Sequence, residues 1–193
     1  MQIATLILAA GASSRLGEPK QLLLENGQPL VRRMAQMAID FNAGPIVVVT
    51  GANAEAVTEA LHDLRVRHVL NPDWQSGMAS SLKIGVETLE KTFPEAILVL
   101  LTDQPYVTRA LLEQLAEQAT STHKAIIASQ YGDVLGVPIL FRPAFFDALK
   151  SLSGDTGARQ LVRNHPDEVA SVSFEEGIID LDTPDDVAKW RAS

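Results

Sequence analysis

Leu8-Ala9-Ala10-Gly11-Ala12-Ser13-Ser14-Arg15-Leu16-Gly17-Glu18-Pro19-Lys20 continues directly from an apolar run over residues 3–8, and this junction decides how the chain reads. An apolar run without polar alternation is the pattern of a strand buried on both faces, as in a parallel sheet. The residues after it are small, with two glycines, an arginine and a lysine, all ahead of the first helical pattern. A loop whose backbone must come close to phosphate needs this composition. Gly11 and Gly17 remove side-chain bulk and permit backbone angles that other residues avoid. Consecutive N–H groups can then converge on anionic oxygens. Arg15 offers a planar fork for phosphate and Lys20 a mobile point charge. The spacing is not that of a Walker A loop: five residues separate Gly11 from Gly17, and Lys20 comes three residues later with Gln21 behind it. It also fails G-x-G-x-x-G, which weighs against a dinucleotide-dependent oxidoreductase.

Outward from this loop, strands and helices alternate. Leu30, Val31, Met34, Met37, Ala38 and Phe41 recur at helical spacing, and Gly44-Pro45 closes the pattern. Residues 45–50 read as a second strand, 54–64 as a helix and 66–70 as a third strand. A loop rich in hydrogen-bonding side chains, 71–77, runs into a helix ending near Phe93. Ala96 to Leu101 forms another wholly apolar strand, with Asp103 just past its carboxyl end. In open α/β sheets ligands bind outside the carboxyl ends of strands, so this Asp is well placed to carry Mg²⁺ between nucleotide phosphates. Residues 108–119 read as a helix capped by Thr108, 125–129 as a strand, 134–141 as an extended segment, 142–152 as a short helix and 169–174 as a strand. Thr183-Pro184-Asp185-Asp186 is a helix start: a threonine cap, a proline in the first turn and two early acids. The expected fold is α/β: a single three-layer domain over 1–193, with a mostly parallel sheet and a small antiparallel insertion around 130–141.

Composition narrows the function classes. The 193 residues carry a formal net charge of −8, so a general nucleic-acid binder, which needs a basic field, is disfavoured. There is no cysteine, which excludes disulfides, thiolate metal sites and cysteine nucleophiles. The apolar start is too short for a signal peptide or membrane span. A cytoplasmic protein without nucleic-acid or membrane partners is expected. The four histidines, His62, His68, His123 and His165, are scattered without metal-ligand spacing.

The loop string resembles the signature L-A-[AG]-G-x-x-x-R-M-G-x-x-K of the MobA-like nucleotidyltransferases, closest to the branch that contains molybdenum cofactor cytidylyltransferase. Further strings agree. Asn71 to Gly85 is similar to N-x-x-[WY]-x-x-G-[MI]-x-x-S-[LI]-[RK]-x-G, which in that branch lies beside base and ribose. Asp103-Gln104-Pro105 resembles the metal-carrying D-x-P string. Gly136-Val137-Pro138 resembles an acceptor-side G-x-P segment, although a histidine often stands where this chain has Val137. Gly154 to Arg159 resembles G-D-x-G-[AG]-[RK], and residues 180–186 resemble [DN]-[IL]-[DN]-T-P-[ED]-D.

The resemblance implies the Rossmann-like nucleotide-diphospho-sugar transferase fold and the transfer of a nucleotidyl group from a nucleoside triphosphate to an acceptor phosphate, with Mg²⁺ as cofactor. Nucleotide contacts then fall on Leu8, Ala9, Ala10, Gly11, Ser13, Arg15, Lys20, Gly51, Asn71, Gly77, Ser80, Ser81 and Asp103. Arg15, Lys20 and Asp103 are the catalytic candidates: Arg15 on the leaving pyrophosphate, Lys20 by the α-phosphate. Asp103 takes the metal together with Asp182, or alternatively Asp180. The acceptor side comprises Gln104, Pro105, Gly136, Pro138, Asp155 and Arg159. CTP is the favoured donor and molybdenum cofactor the favoured acceptor, with a molybdoenzyme or its maturation chaperone as a further partner. GTP as donor, a sugar phosphate as acceptor, and a non-catalytic cofactor-binding chaperone are the alternatives.

Overall fold

β1 (Ile3–Ala9) is buried along its whole length. The computed structural model describes residues 1–192. After the loop from β1 a small hairpin, β2 (Leu24–Glu25) and β3 (Gln28–Pro29), turns through Asn26 and Gly27, both at positive φ, as the Asn-Gly pair requires. The chain continues through α1 (Leu30–Phe41), β4 (Ile46–Thr50), α2 (Ala54–Ala60), β5 (Arg67–Leu70), α3 (Met78–Glu90), β6 (Ala96–Leu101) and α4 (Arg109–Ser121). It ends with β7 (Ile126–Tyr131), β8 (Val134–Phe141), α5 (Phe146–Lys150), α6 (Arg159–Asn164), β9 (Val169–Ser173) and α7 (Pro184–Ala192). None of the described helices is long and apolar enough to cross a membrane.

Seven strands form one sheet in the order β5-β4-β1-β6-β8-β7-β9. β1 pairs in parallel with β4 and β6, and β4 with β5, while β8 runs antiparallel between β6 and β7. The antiparallel component therefore has two parts: β8 inside the sheet, and the β2–β3 hairpin beside it. Side chains alternate across the sheet, as the period of two demands. Ile3, Ile7, Val48, Leu98 and Leu100 meet Val31 and Met34 of α1 and Leu112 and Leu115 of α4 on one face. Leu6, Leu8, Val47, Val49, Ile97 and Val99 meet Leu82, Val86 and Leu89 of α3, Leu149 of α5 and Val162 of α6 on the other. Each such side chain contributes on the order of 1.5–3 kcal/mol by leaving water.

A third cluster positions the site. Leu16 and Leu23 from the loop after β1 pack with Leu30, Leu181, Val187 and Trp190. The Leu181 N–H donates to the Asp103 carbonyl at 3.1 Å. The C-terminal segment is thereby held over the first loop and beside the end of β6. α7 starts as its sequence dictates: the Asp186 carboxylate accepts from both the N–H (2.9 Å) and the hydroxyl (2.7 Å) of Thr183. Thr108 caps α4 through its side chain, which accepts from the Leu111 N–H at 3.3 Å.

The expected helix over 54–64 stops earlier, at Ala60. Arg32 of α1 donates to the Ala60 carbonyl at 3.0 Å and pairs through both amino groups with Asp63, so a tertiary arginine takes a carbonyl that another helical turn would have used. The helix expected over 142–152 is likewise shorter: a 3-10 turn at Pro143–Phe145 precedes α5.

The hydrogen bonds from Arg32 hold the Asp63 carboxyl down to about 2. A depressed carboxylate stabilises the fold above its unfolded pKa, near 4, and loses that contribution as pH falls through the folded value. Asp63→Asn should therefore flatten the decline of Tm with acidification between roughly pH 4 and 2 without altering Tm dependence above it, measured by thermal denaturation across pH.

Candidate functional site

The loop after β1 is closed from the inside by one buried side chain. The Gln21 amide donates to the carbonyls of Ala9 (3.4 Å) and Gly11 (3.1 Å), and its oxygen accepts from the Ser13 hydroxyl at 3.4 Å. Ser13, at φ +55°, in turn accepts the Lys20 N–H at 3.0 Å, and its carbonyl takes the N–H groups of Leu16 and Gly17. These bonds leave the amides from Gly11 to Arg15 without an acceptor among the described residues. Successive free N–H groups are a receptor for anionic oxygens. Those of Gly11 to Ser14 border a cavity of about 340 Å³ whose far wall includes Trp74, Met78, Thr102 and Asp103. Gly17 adopts φ +82°, whereas a Cβ on Gly11 would meet nothing within 4 Å. Gly11 is thus free of any packing requirement and faces open space.

Asp103 leaves β6 at its carboxyl end and is buried. Its Oδ2 accepts from the Lys20 ammonium, and its Oδ1 is buried with no partner among the described residues. Lys20 also donates to Asp182 Oδ1 at 3.0 Å, and Arg15 donates to Asp182 Oδ2 at 2.7 Å. Two cations near the start of the chain, a carboxylate from its middle and one from its last residues form one network. Burial pulls the Lys20 ammonium down, but the adjacent Asp103 charge and then Asp182 outweigh it, so its pKa stands above the usual value. The Asp180 carboxyl is pushed up to about 6, by burial first and then by the charges of Asp103 and Asp182. Among the described residues no three acidic or histidine side chains stand grouped as a metal cage. Lys20 and Arg15 hold the two carboxylates instead.

The 71–77 loop is clamped rather than presented. The buried Asn71 amide donates to Ser80 (2.8 Å) and Ser81 (2.9 Å), and its oxygen accepts from the Asp73 N–H at 3.0 Å. Of these, Ser81 lines the cavity, as do Leu8, Ala9, Ala10, Gly11, Ser13 and Gly77. Asn71 and Ser80 sit behind it and fix the path that carries Trp74 and Gln75 to the wall. Gly51 is also behind: its Cβ would lie 2.6 Å from the Ala10 carbonyl and 2.8 Å from Trp74. Gly77, at φ +110°, abuts the 153–157 loop, where a Cβ would stand 2.2 Å from the Gly154 backbone.

The acceptor-side candidates divide. Gln104 and Pro105 are buried next to Asp103, with the Gln104 amide donating to the Gly177 carbonyl at 3.4 Å and its oxygen unpartnered among the described residues. Gly136 serves packing: a Cβ there would lie 1.9 Å from the Tyr131 hydroxyl. Pro138 lies within β8, its carbonyl accepting from Ser129 at 2.9 Å. Asp155 lines the cavity and also a neighbouring cleft that contains Arg159. Sequence reasoning missed Gln21, Trp74, Gln75, Met78 and Thr102. Trp74, Gln75 and Met78 lay in the quoted 71–85 string, so an aromatic and a thioether beside a loop of donors were the available signal; Gln21 had none, since its role depends on carbonyls brought together only by folding.

A family profile described as the MobA-like NTP transferase domain matches residues 5–169. Nicotine blue oxidoreductase of Paenarthrobacter nicotinovorans is 34% identical over 171 residues, 85% of this chain and 83% of that one. Molybdenum cofactor cytidylyltransferase of Escherichia coli is 25% identical, covering 95% and 93% of the two chains. The crystal structure of Rv0371c from Mycobacterium tuberculosis superposes with TM-score 0.87 at 29% identity, covering 100% of this chain and 98% of that one. The same protein has been solved in complex with manganese (TM-score 0.83, 27% identity, full coverage of both chains).

Gly77→Ala should destabilise the protein by about 2 kcal/mol or more, since the φ is left-handed and the Cβ meets backbone rather than a yielding side chain. Urea unfolding measures it; a loss below about 0.5 kcal/mol would mean that the 153–157 loop is not seated on this turn.

Proposed function

This chain belongs to the MobA-like NTP transferase family, and we propose that it transfers the cytidylyl group of CTP to the terminal phosphate of molybdenum cofactor, releasing pyrophosphate. The coarser statement, a nucleotidyltransferase, follows from the family. One observation supports the site assignment above others: a row of free loop amides borders the same cavity as a buried Asp at the carboxyl end of β6, with the Lys20 ammonium on that Asp.

In this reading the amides from Gly11 to Arg15 receive phosphate oxygens, with Ala9, Ala10 and Ser13 shaping the approach. Lys20 sits by the α-phosphate, and Arg15, largely exposed at the rim, neutralises the leaving pyrophosphate. Positioning and charge stabilisation accomplish such a transfer; no covalent intermediate is needed. Gln104, Pro105, Asp155 and Arg159 form the acceptor side, with Gly136 and Pro138 shaping β8 behind it.

The carboxylates fit a divalent cation, because Asp103 Oδ1 is a buried acceptor with no partner among the described residues. Asp103 and Asp182 would hold Mg²⁺, with Asp180 as the alternative to Asp182. Bound there, the ion neutralises charge on the phosphoryl oxygens. The manganese complex of a relative supports a divalent metal without specifying which. Base choice rests on the similarity to the cytidylyltransferase of Escherichia coli. A molybdoenzyme or maturation chaperone would receive the product.

The deciding experiment is pyrophosphate release with Mg²⁺ and each of CTP, GTP, ATP and UTP, with and without molybdenum cofactor, beside Asp103→Ala. Release with CTP that requires the cofactor and falls at least about a hundredfold in the variant is the expected result. Release with GTP instead would overturn the donor while keeping the reaction. A second reading, an oxidoreductase, is favoured by the similarity to nicotine blue oxidoreductase, although the loop after β1 lacks G-x-G-x-x-G. Consumption of NAD(P)H with no pyrophosphate release from any nucleotide would establish it.

Two variants probe the loop. Gly11→Ala should leave Tm unchanged, its methyl meeting no protein atom within 4 Å, yet weaken CTP binding by about tenfold or more by filling the space before the amides. In nucleotide-free protein, Lys20→Met should bind Mn²⁺ more tightly than wild type, because the ammonium that spans Asp103 and Asp182 is gone. Mn²⁺ titration by electron paramagnetic resonance reads this directly; equal or weaker binding would contradict a metal at these carboxylates.

A further inference from the structure

Beside the main cavity lies a second cleft, of about 360 Å³, lined by Asp155, Thr156, Gly157, Arg159, Gln160 and Arg163. Asp155 belongs to both walls, so the two spaces adjoin. The partition between them is tied to the start of α3. The Gly154 carbonyl accepts from the Ala79 N–H at 3.1 Å, and Gly77 leaves no room for a Cβ against the Gly154 backbone. Arg159 and Arg163 stand four residues apart on α6, which places them on one helix face with Cβ atoms about 5–6 Å apart.

Neither arginine has an ion-pair or hydrogen-bond partner among the described residues; Arg65, Arg67 and Arg191 are unpaired as well, but only Arg159 and Arg163 line a cleft that adjoins the main cavity. The chain carries a net charge of −8, so carboxylates for pairing are abundant. Leaving two adjacent guanidinia unpaired beside the reaction pocket keeps their forks available to an outside anion. Gln160, between them in sequence, has its amide turned away to Asn164 at 2.8 Å, which leaves the arginines as the principal donors of the cleft. Against their two positive charges the lining holds one carboxylate, that of Asp155.

We propose that this cleft binds a second anionic group of the acceptor, remote from its attacking phosphate, through Arg159 and Arg163. The inference rests on the nucleotidyl-transfer reading and deepens it: the acceptor is a molecule with two separated anionic ends, one presented to the α-phosphorus and one held over α6. Arg163, which no motif of the chain marked, becomes a determinant of acceptor affinity and not of nucleotide affinity.

The test has two arms. Inorganic phosphate is titrated, without CTP and at saturating CTP, while the arginine Nε–H resonances are followed by NMR, in wild type and in Arg163→Gln. Saturable shifts at Arg159 and Arg163 that vanish in the variant are expected. Shifts absent from wild type, or abolished by CTP itself, overturn the proposal, the latter by giving the cleft to the nucleotide's triphosphate. In the second arm, Arg163→Gln should raise KM for molybdenum cofactor about tenfold, the loss of one charge-assisted hydrogen bond, with Kd for CTP unchanged. Phosphate binding without any change in that KM would mark an adventitious anion site and overturn the acceptor assignment. If wild type transfers nothing to molybdenum cofactor, the proposed function fails, and the phosphate arm alone decides whether the cleft is an anion site.

Discussion

The Lys20 ammonium, bonded to Asp103 and Asp182 at once, is the contact on which the site depends. It ties residue 20 to residues 83 and 162 positions away, and none of the three is near another until the fold is complete. The ion pair does not create this proximity. Desolvating charges costs about as much as their attraction returns, so packing must bring them together. That packing is the small cluster of Leu16, Leu23 and Leu30 with Leu181, Val187 and Trp190, together with the backbone bond from Leu181 to Asp103. The C-terminal helix is therefore part of the site's scaffolding even though its own residues do not enter the cavity.

A similar division of labour runs through the glycines. Gly11 has space around it and so is small for the sake of whatever enters the cavity. Gly51, Gly77 and Gly136 are small for the sake of neighbours: Ala10 and Trp74, the Gly154 backbone, and the Tyr131 hydroxyl. Gly51 and Gly77 let the loop after β1, the 71–77 loop and the 153–157 loop approach one another closely, while Gly136 lets β8 pack against Tyr131 of β7. Gln21 completes the arrangement by taking two carbonyls of the first loop, which turns the amides of that loop outward.

Much of this was legible beforehand, and for identifiable reasons. Uninterrupted apolar runs marked β1, β4 and β6, and Asp103 could be placed at a carboxyl end because the run before it was unambiguous. Helix α1 was bounded by its own periodicity and by Gly44-Pro45. What failed to show was whatever a distant partner decides. The early end of α2 depends on Arg32, a residue of another helix. Gly136 resembled an acceptor contact because its string did, but only the fold reveals Tyr131 filling the space beside it. Arg163 carried no motif, and its exposure beside a cavity is a property of surface shape rather than of spacing.

Charge balance sets the last constraint. Asp103, Asp180 and Asp182 bring three carboxylates to the end of the sheet, and Arg15 and Lys20 bring two cations. The deficit appears at Asp180, whose carboxyl is pushed up to about 6 by burial and by its two neighbours. Asp103 and Asp182 keep their counter-charges only while both cations stay on them. On the proposed function a triphosphate arriving at the Gly11–Arg15 amides competes for those same cations, and each one drawn toward phosphate exposes a carboxylate to its neighbours. On the same reading a divalent ion held by Asp103 and Asp182 would restore the balance on both sides, being attracted to the released carboxylates and to the phosphates together. Nucleotide and metal should thus enter as linked events, each weak alone, with the lysine as the element that passes from one partner to the other.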